Sequence, residues 1–123
     1  MMITRNISES EIACHCGCGQ SIIEMDLIYS LQHIRDIIEK PIIIHCLNRC
    51  ETHNKNIGGV ENSMHIKGMA ADFHVKGVSI EDLHTRCMGM YNANFIKGGL
   101  GLYDWGVHID IGKKRNWDKR NKS

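Results

Sequence analysis

No stretch of this chain is apolar for long enough to cross a membrane; every apolar run falls well short of the ~18 residues a helical span needs. Net charge is nearly absent as well. Fifteen Lys and Arg set against 14 Asp and Glu leave +1, too little to steer nucleic acid or to hold an acidic membrane surface. The first residues, Met1-Met2-Ile3-Thr4-Arg5-Asn6, contain no apolar core of the kind that marks a secretory leader. Internal repeats and linkers are also missing. The expectation is a monomer made in the cytoplasm, without nucleic-acid partners or membrane insertion. With 42% apolar and 24% charged residues the composition is that of an ordinary soluble domain. A chain of 123 residues is long enough to bury a real core. The expected organisation is a single domain over 1–123, ordered from about 12 to 117, with a frayed basic tail at 118–123.

What the chain does have is histidine, eight in all. Two of them sit in strand-like surroundings. From Met69 onward, Met69, Ala71, Phe73 and Val75 alternate with Ala70, Asp72 and His74, the period of a half-buried strand. Asp72 then points to the polar face, and His65 lies in the turn that leads in, with Gly68 allowing a tight bend or a close approach. Val107-His108-Ile109-Asp110-Ile111 repeats the pattern, with His108 and Asp110 on the polar face. Two imidazoles and one carboxylate on adjacent polar faces are the three protein ligands of an open zinc site, and they leave a fourth position for water. A zinc so held brings the pKa of that water to about 7. One Zn²⁺ per chain, on His65, Asp72 and His108, is the expectation. The other histidines, at 15, 33, 45, 53, 74 and 84, are expected at the surface or behind the ligands, His74 foremost among the latter.

The six cysteines leave three readings open. Cys14, Cys16 and Cys18 crowd one turn-like segment with Gly17 and Gly19, while Cys46, Cys50 and Cys87 lie elsewhere. Their C-x-C-x-C spacing is not the C-x2-C of a zinc ribbon. Reduced thiols, a disulfide to the segment around Cys50, or a second metal there all fit.

In chain order, Ile3 to Ala13 reads as a short edge strand. Ser21-x-x-Glu24 has the form of a capping box ahead of Leu27, Leu31, Ile34 and Ile38, which predicts an amphipathic helix of about sixteen residues stopped at Lys40-Pro41. Pro41 to Leu47 is β-branched and short, so a buried strand is expected there. Glu51 to Asn56 is a polar loop or short helix closed by Gly58-Gly59. Ser79 caps a second helix ending near Gly89. The run Gly98-Gly99-Leu100-Gly101 reads as a flexible lead into the last strand, or as a wall along which a peptide passes. The fold class is α+β, with helices packed on a small antiparallel sheet.

These residues also carry a family resemblance. Asn62-Ser63-x-His65-x-x-Gly68-x-Ala70-x-Asp72, Gly98-Gly99-x-Gly101-x-Tyr103 and His108-x-Asp110 resemble the zinc D-alanyl-D-alanine carboxypeptidases. So do Pro41-Ile42-Ile43-Ile44, Asn48-Arg49-Cys50-x-x-His53-Asn54 and Gly112-x-x-Arg115-x-Trp117, and the chain is most similar to the short members common in bacteriophages. The resemblance implies a hedgehog/DD-peptidase-like fold. It also implies cleavage of peptidoglycan stem peptides, as a D-Ala-D-Ala carboxypeptidase or an L,D- or D,D-endopeptidase. A phage endolysin reaching the wall by a holin-like route is included in that expectation. Arg49 stands where the family places an arginine beside the metal, suited to polarise a carbonyl or clamp a carboxylate. The wider family puts an acidic residue three positions before the last histidine ligand; here that position is Trp105. Asp104 is the first candidate for the general base and Asp110 the second, with Ser63 bracing His65 or bonding substrate. The missing acid also leaves open a non-catalytic, zinc-bearing module that binds peptide or cell wall.

Overall fold

Leu27, Ile28, Leu31, Ile34 and Ile38 recur at helical spacing and all are buried. In the computed structural model, which describes residues 2–120, they form one face of a helix, Met25–Ile38. It follows a small hairpin, β1 (Met2–Thr4) and β2 (Ile7–Ser8), and a one-turn helix α1 (Glu9–Ile12), and is therefore α2. The remaining elements are β3 (Ile42–Cys46), α3 (Glu51–Asn56), β4 (Ala70–Val75), α4 (Ile80–Asn92), β5 (Gly99–Tyr103), β6 (Gly106–Asp110) and β7 (Arg115–Asp118).

Three local expectations are corrected. Ile3 to Ala13 is a hairpin and a helical turn rather than one edge strand, because Ser8 starts a helix: its backbone N–H donates to the Glu11 carboxylate at 3.0 Å. Ser21 does not cap α2. The segment before that helix is tied down elsewhere, Ile22 N–H to Asn48 Oδ1 at 2.9 Å and Glu24 N–H to the Gly68 carbonyl at 3.0 Å, so it runs extended and Glu24 becomes the cap residue. Gly89 does not end α4. Met90 sits one helical turn beyond Cys87 and two beyond Leu83, and burial of all three carries the helix to Asn92. Its start is as expected, with Asp82 N–H donating to Ser79 Oγ at 3.1 Å.

The five-stranded sheet has the order β3-β4-β6-β5-β7. Its first four strands are antiparallel and β7 lies parallel to β5, which makes the sheet mixed. Lys119 N–H still bonds the Leu102 carbonyl at 2.8 Å, so pairing continues into the tail expected at 118–123; residues 121–123 of that tail lie outside the described residues. Ala71, Phe73 and Val75 of β4, Val107 and Ile109 of β6 and Leu100 and Leu102 of β5 join the α2 and α4 side chains in one core. Burying a Leu or Phe side chain there contributes roughly 1.5–3 kcal/mol each. The opposite sheet face carries the polar residues. One row of register crosses all five strands on that side: Cys46, Asp72, His108, Gly101 and Trp117. Among the described residues no helix is long and apolar enough to cross a membrane.

Candidate metal centre

Asp72 and His108 are direct cross-strand partners, and His108 Nδ1 lies 2.8 Å from Asp72 Oδ1. His65 reaches the same carboxylate from outside the sheet, its Nε2 3.1 Å from Asp72 Oδ2. The turn that delivers it is heavily braced. The His65 carbonyl accepts Arg49 N–H at 3.0 Å and Asn48 Nδ2 at 3.1 Å, while its own N–H donates to Ser63 Oγ at 3.2 Å. Gly68 closes the turn at φ +67°, and a Cβ there would stand 2.1 Å from the Ile22 carbonyl oxygen. No other residue satisfies both the angle and the space.

The donor set fits a metal of the zinc type. One atom from each of His65, Asp72 and His108 lies within 4.8 Å of the others. The two rings are also oriented from behind. His65 Nδ1 is 2.9 Å from the Leu47 carbonyl, so it carries the proton and leaves Nε2 facing Asp72. His108 Nε2 is 2.9 Å from Asp110 Oδ2, which leaves Nδ1 facing Asp72. A histidine held through its far nitrogen by a carbonyl or carboxylate is the usual arrangement behind a zinc ligand.

Charge in the cluster is organised the same way. Burial alone would raise Asp72, but hydrogen bonds from His108 and His65 outweigh it and hold the carboxyl far below the usual carboxylate range. Burial alone would lower His65; its bonds to Asp72 and to the Cys46 thiol outweigh that and push it up to about 10. His108 is raised against burial by Asp110 and Asp72, and Asp110 is lowered against burial by His108 and the Gly99 and Gly112 amides.

The cluster lies in a cavity of about 890 Å³. Arg49, Gly59, Ser63 and Met64 form one side, and Tyr103, Trp105, Arg115, Trp117 and Lys119 the other. Arg49 is fixed by Asn54 Oδ1 at 2.8 Å and Cys46 Sγ at 3.4 Å, while its buried Nε has no partner. Trp117 Nε1 donates to Tyr103 Oη at 2.8 Å, and the Arg115 guanidinium lies 4.4 Å over the Trp117 ring.

The glycine run is not a flexible lead: from Gly99 it belongs to β5 and makes room. A Cβ on Gly99 would meet Asp110 Oδ2 at 2.5 Å, and one on Gly101 would meet Trp117 at 2.5 Å. Without those atoms Asp110 settles under His108, and Trp117 leans across the row to within 5.4 Å of the His108 ring. Asp110 is 2% exposed and both its oxygens are engaged, Oδ1 by the Gly99 and Gly112 amides and Oδ2 by His108, which places it as an orienting group. Asp104 is exposed at the tip of the β5–β6 turn and does not line the cavity. Gly106 packs against the Phe73 carbonyl, and beside it Trp105, itself 40% exposed, lines the cavity where Asp104 does not. His74 pairs with His45, Nδ1 to Nε2 at 2.6 Å, rather than with a cluster residue. Two contributors had no signal in residue pattern alone: Cys46, brought beside His65 and Arg49 by a bulge at the end of β3, and Asn48, buried and bonded to the His65 turn.

Comparison with known proteins places the chain in a family. A family model described as Peptidase M15, the zinc-dependent D-Ala-D-Ala carboxypeptidase-like peptidases, matches residues 5–110. The peptidoglycan L,D-endopeptidase MepK of Escherichia coli (strain K12) is 30% identical over 98 residues, covering 75% of this chain and 51% of that protein. The probable peptidoglycan L,D-endopeptidase MepK of Haemophilus influenzae (strain ATCC 51907 / DSM 11121 / KW20 / Rd) is 36% identical over 62 residues, 49% of this chain and 31% of that one. The chain thus spans about half the length, or less, of these relatives. With the matched region reaching from the first hairpin to Asp110 and so taking in His65, Asp72 and His108, the chain belongs to the peptidase M15 family.

Proposed function

We propose that this protein is a zinc-dependent peptidase that hydrolyses peptide bonds of peptidoglycan stem peptides. The observation that carries the reading is the convergence of His65 Nε2, Asp72 and His108 Nδ1 in the cavity, each histidine oriented through its other nitrogen. Zinc held by those three residues supplies Lewis acidity and a nucleophile available at neutral pH.

The chain's own groups then have separable tasks. Asp110 holds the His108 ring in one orientation and the Leu47 carbonyl does the same for His65. Arg49, anchored through Asn54 and Cys46, presents a planar guanidinium to a carbonyl oxygen or substrate carboxylate. Tyr103 accepts from Trp117 through its oxygen, which leaves its own proton to donate into the cavity. Arg115 and Lys119 make the second side cationic, suited to the free carboxylates of a stem peptide.

Two relatives are named as L,D-endopeptidases, which favours an internal stem-peptide bond over a terminal D-alanine. Digestion of purified peptidoglycan with and without chelator, followed by mass spectrometry of the released muropeptides, tests both points. Chelator-sensitive products cut at an L,D bond are expected. Loss of a terminal D-alanine alone would make the enzyme a carboxypeptidase. Binding to the wall without any release would favour the non-catalytic module, the reading to which Trp105 in the usual acid's place lends weight.

A further inference from the structure

Away from the cavity, four thiols meet. Cys14, Cys16 and Cys18 come from the turn between α1 and α2, and Cys50 immediately precedes α3. All four sulfurs lie within 4.8 Å of one another. Cys14 and Cys16 Sγ are 3.4 Å apart, Cys16 and Cys50 Sγ 3.7 Å, and all are free thiols. These separations are far from the ~2.05 Å of a disulfide. They match the edge of a sulfur tetrahedron around a metal instead: with Zn–S near 2.3 Å, tetrahedral geometry sets neighbouring sulfurs about 3.8 Å apart.

The backbone is shaped to the same end. In an extended strand, residues 14, 16 and 18 would share a face but stand about 6.5–7 Å apart, too far for one ion. Gly17 and Gly19 each adopt φ +85°, and no atom lies within 4 Å of where a Cβ would stand. Conformation rather than space therefore calls for glycine at both: Gly17 turns the chain between Cys16 and Cys18, and Gly19 turns it after Cys18, where the Gln20 carbonyl accepts the Cys14 N–H at 2.8 Å. Three of the sulfurs also accept backbone amides: Cys14 from Cys50 at 3.3 Å, Cys18 from Gln20 at 3.4 Å and Cys50 from His53 at 3.3 Å. Amides directed at sulfur favour the thiolate, the form that ligates metal.

We propose that Cys14, Cys16, Cys18 and Cys50 form a structural zinc site, separate from the His65, Asp72 and His108 centre. Four thiolates close the coordination sphere and leave no position for substrate, which makes the role structural. The site clamps the turn at 14–18 to Cys50, the neighbour of Arg49. Asn48 N–H to the Ile12 carbonyl at 3.0 Å and Ile22 N–H to Asn48 Oδ1 at 2.9 Å extend the same clamp toward the His65 turn.

Metal analysis of the full chain, purified with reductant and dialysed against zinc-free buffer, should find about two zinc ions rather than about one. Cys16→Ser/Cys18→Ser should lose one and keep the other. His65→Ala should show the converse loss, and Cys87→Ala should keep both. Reconstitution of the wild type with cobalt should give an intense near-ultraviolet thiolate-to-cobalt band that survives His65→Ala and vanishes in the double serine variant. Because the Cys46 thiol lies beside His65, the band counts for the four-cysteine site where it survives His65→Ala. That variant leaves all four cysteines in place and so decides the matter even where the double serine variant does not fold. A wild type without the band, a zinc content unmoved by Cys16→Ser/Cys18→Ser, or a disulfide from Cys50 to the turn found by mass spectrometry would each overturn the proposal. Since the His65 and cysteine variants report different ions, failure here leaves the peptidase reading standing, and the reverse.

Discussion

Two metal-competent clusters occupy this chain, and they are built in opposite ways. His65, Asp72 and His108 rest on a sheet: two of the three are facing residues of neighbouring strands, and their separation follows from strand pairing. Cys14, Cys16, Cys18 and Cys50 rest on a turn and a helix start, brought together by glycine kinks and by hydrogen bonds between the two segments rather than by strand pairing. The first cluster is oriented from behind by Leu47 and Asp110 and lies in a cavity. In the second, Cys14 is buried while Cys16 and Cys18 are exposed. A site preorganised by a sheet suits chemistry that needs fixed ligand geometry and access for substrate; a site closed by turns suits tying segments together.

The contrast is broken most sharply at His65. His65→Ala removes a proposed ligand, so activity on peptidoglycan should fall to background and active-site zinc should be lost, with the fold retained by circular dichroism. Full zinc occupancy with lost activity would mean the ring serves substrate rather than metal.

Arg49 lies between the two clusters, one residue from Cys50 and in the wall of the cavity. Arg49→Lys keeps the charge and loses the planar fork held by Asn54. A drop of about 10²-fold in kcat/KM is expected, the scale of losing one directed donor to the reacting oxygen, with zinc content and Tm close to wild type. Unchanged kcat/KM would reduce Arg49 to a structural cation.

Asp110→Asn tests whether orientation from behind matters. An amide in that buried position still accepts one bond but cannot accept from His108 and both glycine amides with a full carboxylate charge. A loss of about 10–100-fold in zinc affinity or activity is expected, as for other groups behind zinc ligands. Rescue of the rate at saturating zinc would separate a positioning role from direct proton transfer.

The same cluster predicts how pH and metal interact. In protein stripped by chelator, His65 is raised, so its stabilising contribution is complete below its unfolded value of about 6.5 and is lost as pH climbs through about 10. Asp72 is depressed, so its contribution is present above about 3.9 and is lost as pH falls through its folded value. Zinc must displace the histidine protons, so its binding strengthens as pH rises. The gap in Tm between zinc-loaded and stripped protein should therefore widen from about pH 6 to pH 8. A gap independent of pH would mean the histidines are neutral before zinc arrives.

Legibility in the sequence divides along the same line. The strand alternation around Asp72 and His108 is a period-2 pattern that reads directly as facing polar residues, and the structure pairs those two residues. Phe73, Val107 and Ile109 point into the core for the same reason. The α2 face was legible from spacing, but its start was not, because a tertiary bond from Asn48 competes with the local Ser21–Glu24 pattern. The grouping of Cys50 with Cys14, Cys16 and Cys18 was among the open readings of the cysteines, but local chemistry could not show that β7 returns parallel to β5 or that Gly101 exists to admit Trp117. Each of these depends on where a distant segment comes to rest.

The smallest effect is expected at Asp104, and it tests the turn that fills the place of the family's acid. By chain position Asp104 is the nearest carboxylate to the absent acid at Trp105. In space it is exposed at the tip of the β5–β6 turn, within the field of Arg120. Trp105 occupies the cavity side, stacked 4.8 Å from Tyr103 and 5.4 Å from His45. A group outside the cavity cannot take a proton from the reacting centre, so Asp104→Asn should change kcat/KM by no more than about twofold, the scale of an exposed substitution. A positioned general base would instead cost on the order of 10²–10⁴, with zinc retained and the acidic limb of the pH–rate profile displaced. If that larger loss is found, the turn must swing about Gly106 during turnover and bring Asp104 in as Trp105 leaves. Trp105→Ala then becomes the diagnostic partner. It should relieve the need for that exchange, whereas a fixed aromatic wall would show only weaker substrate binding.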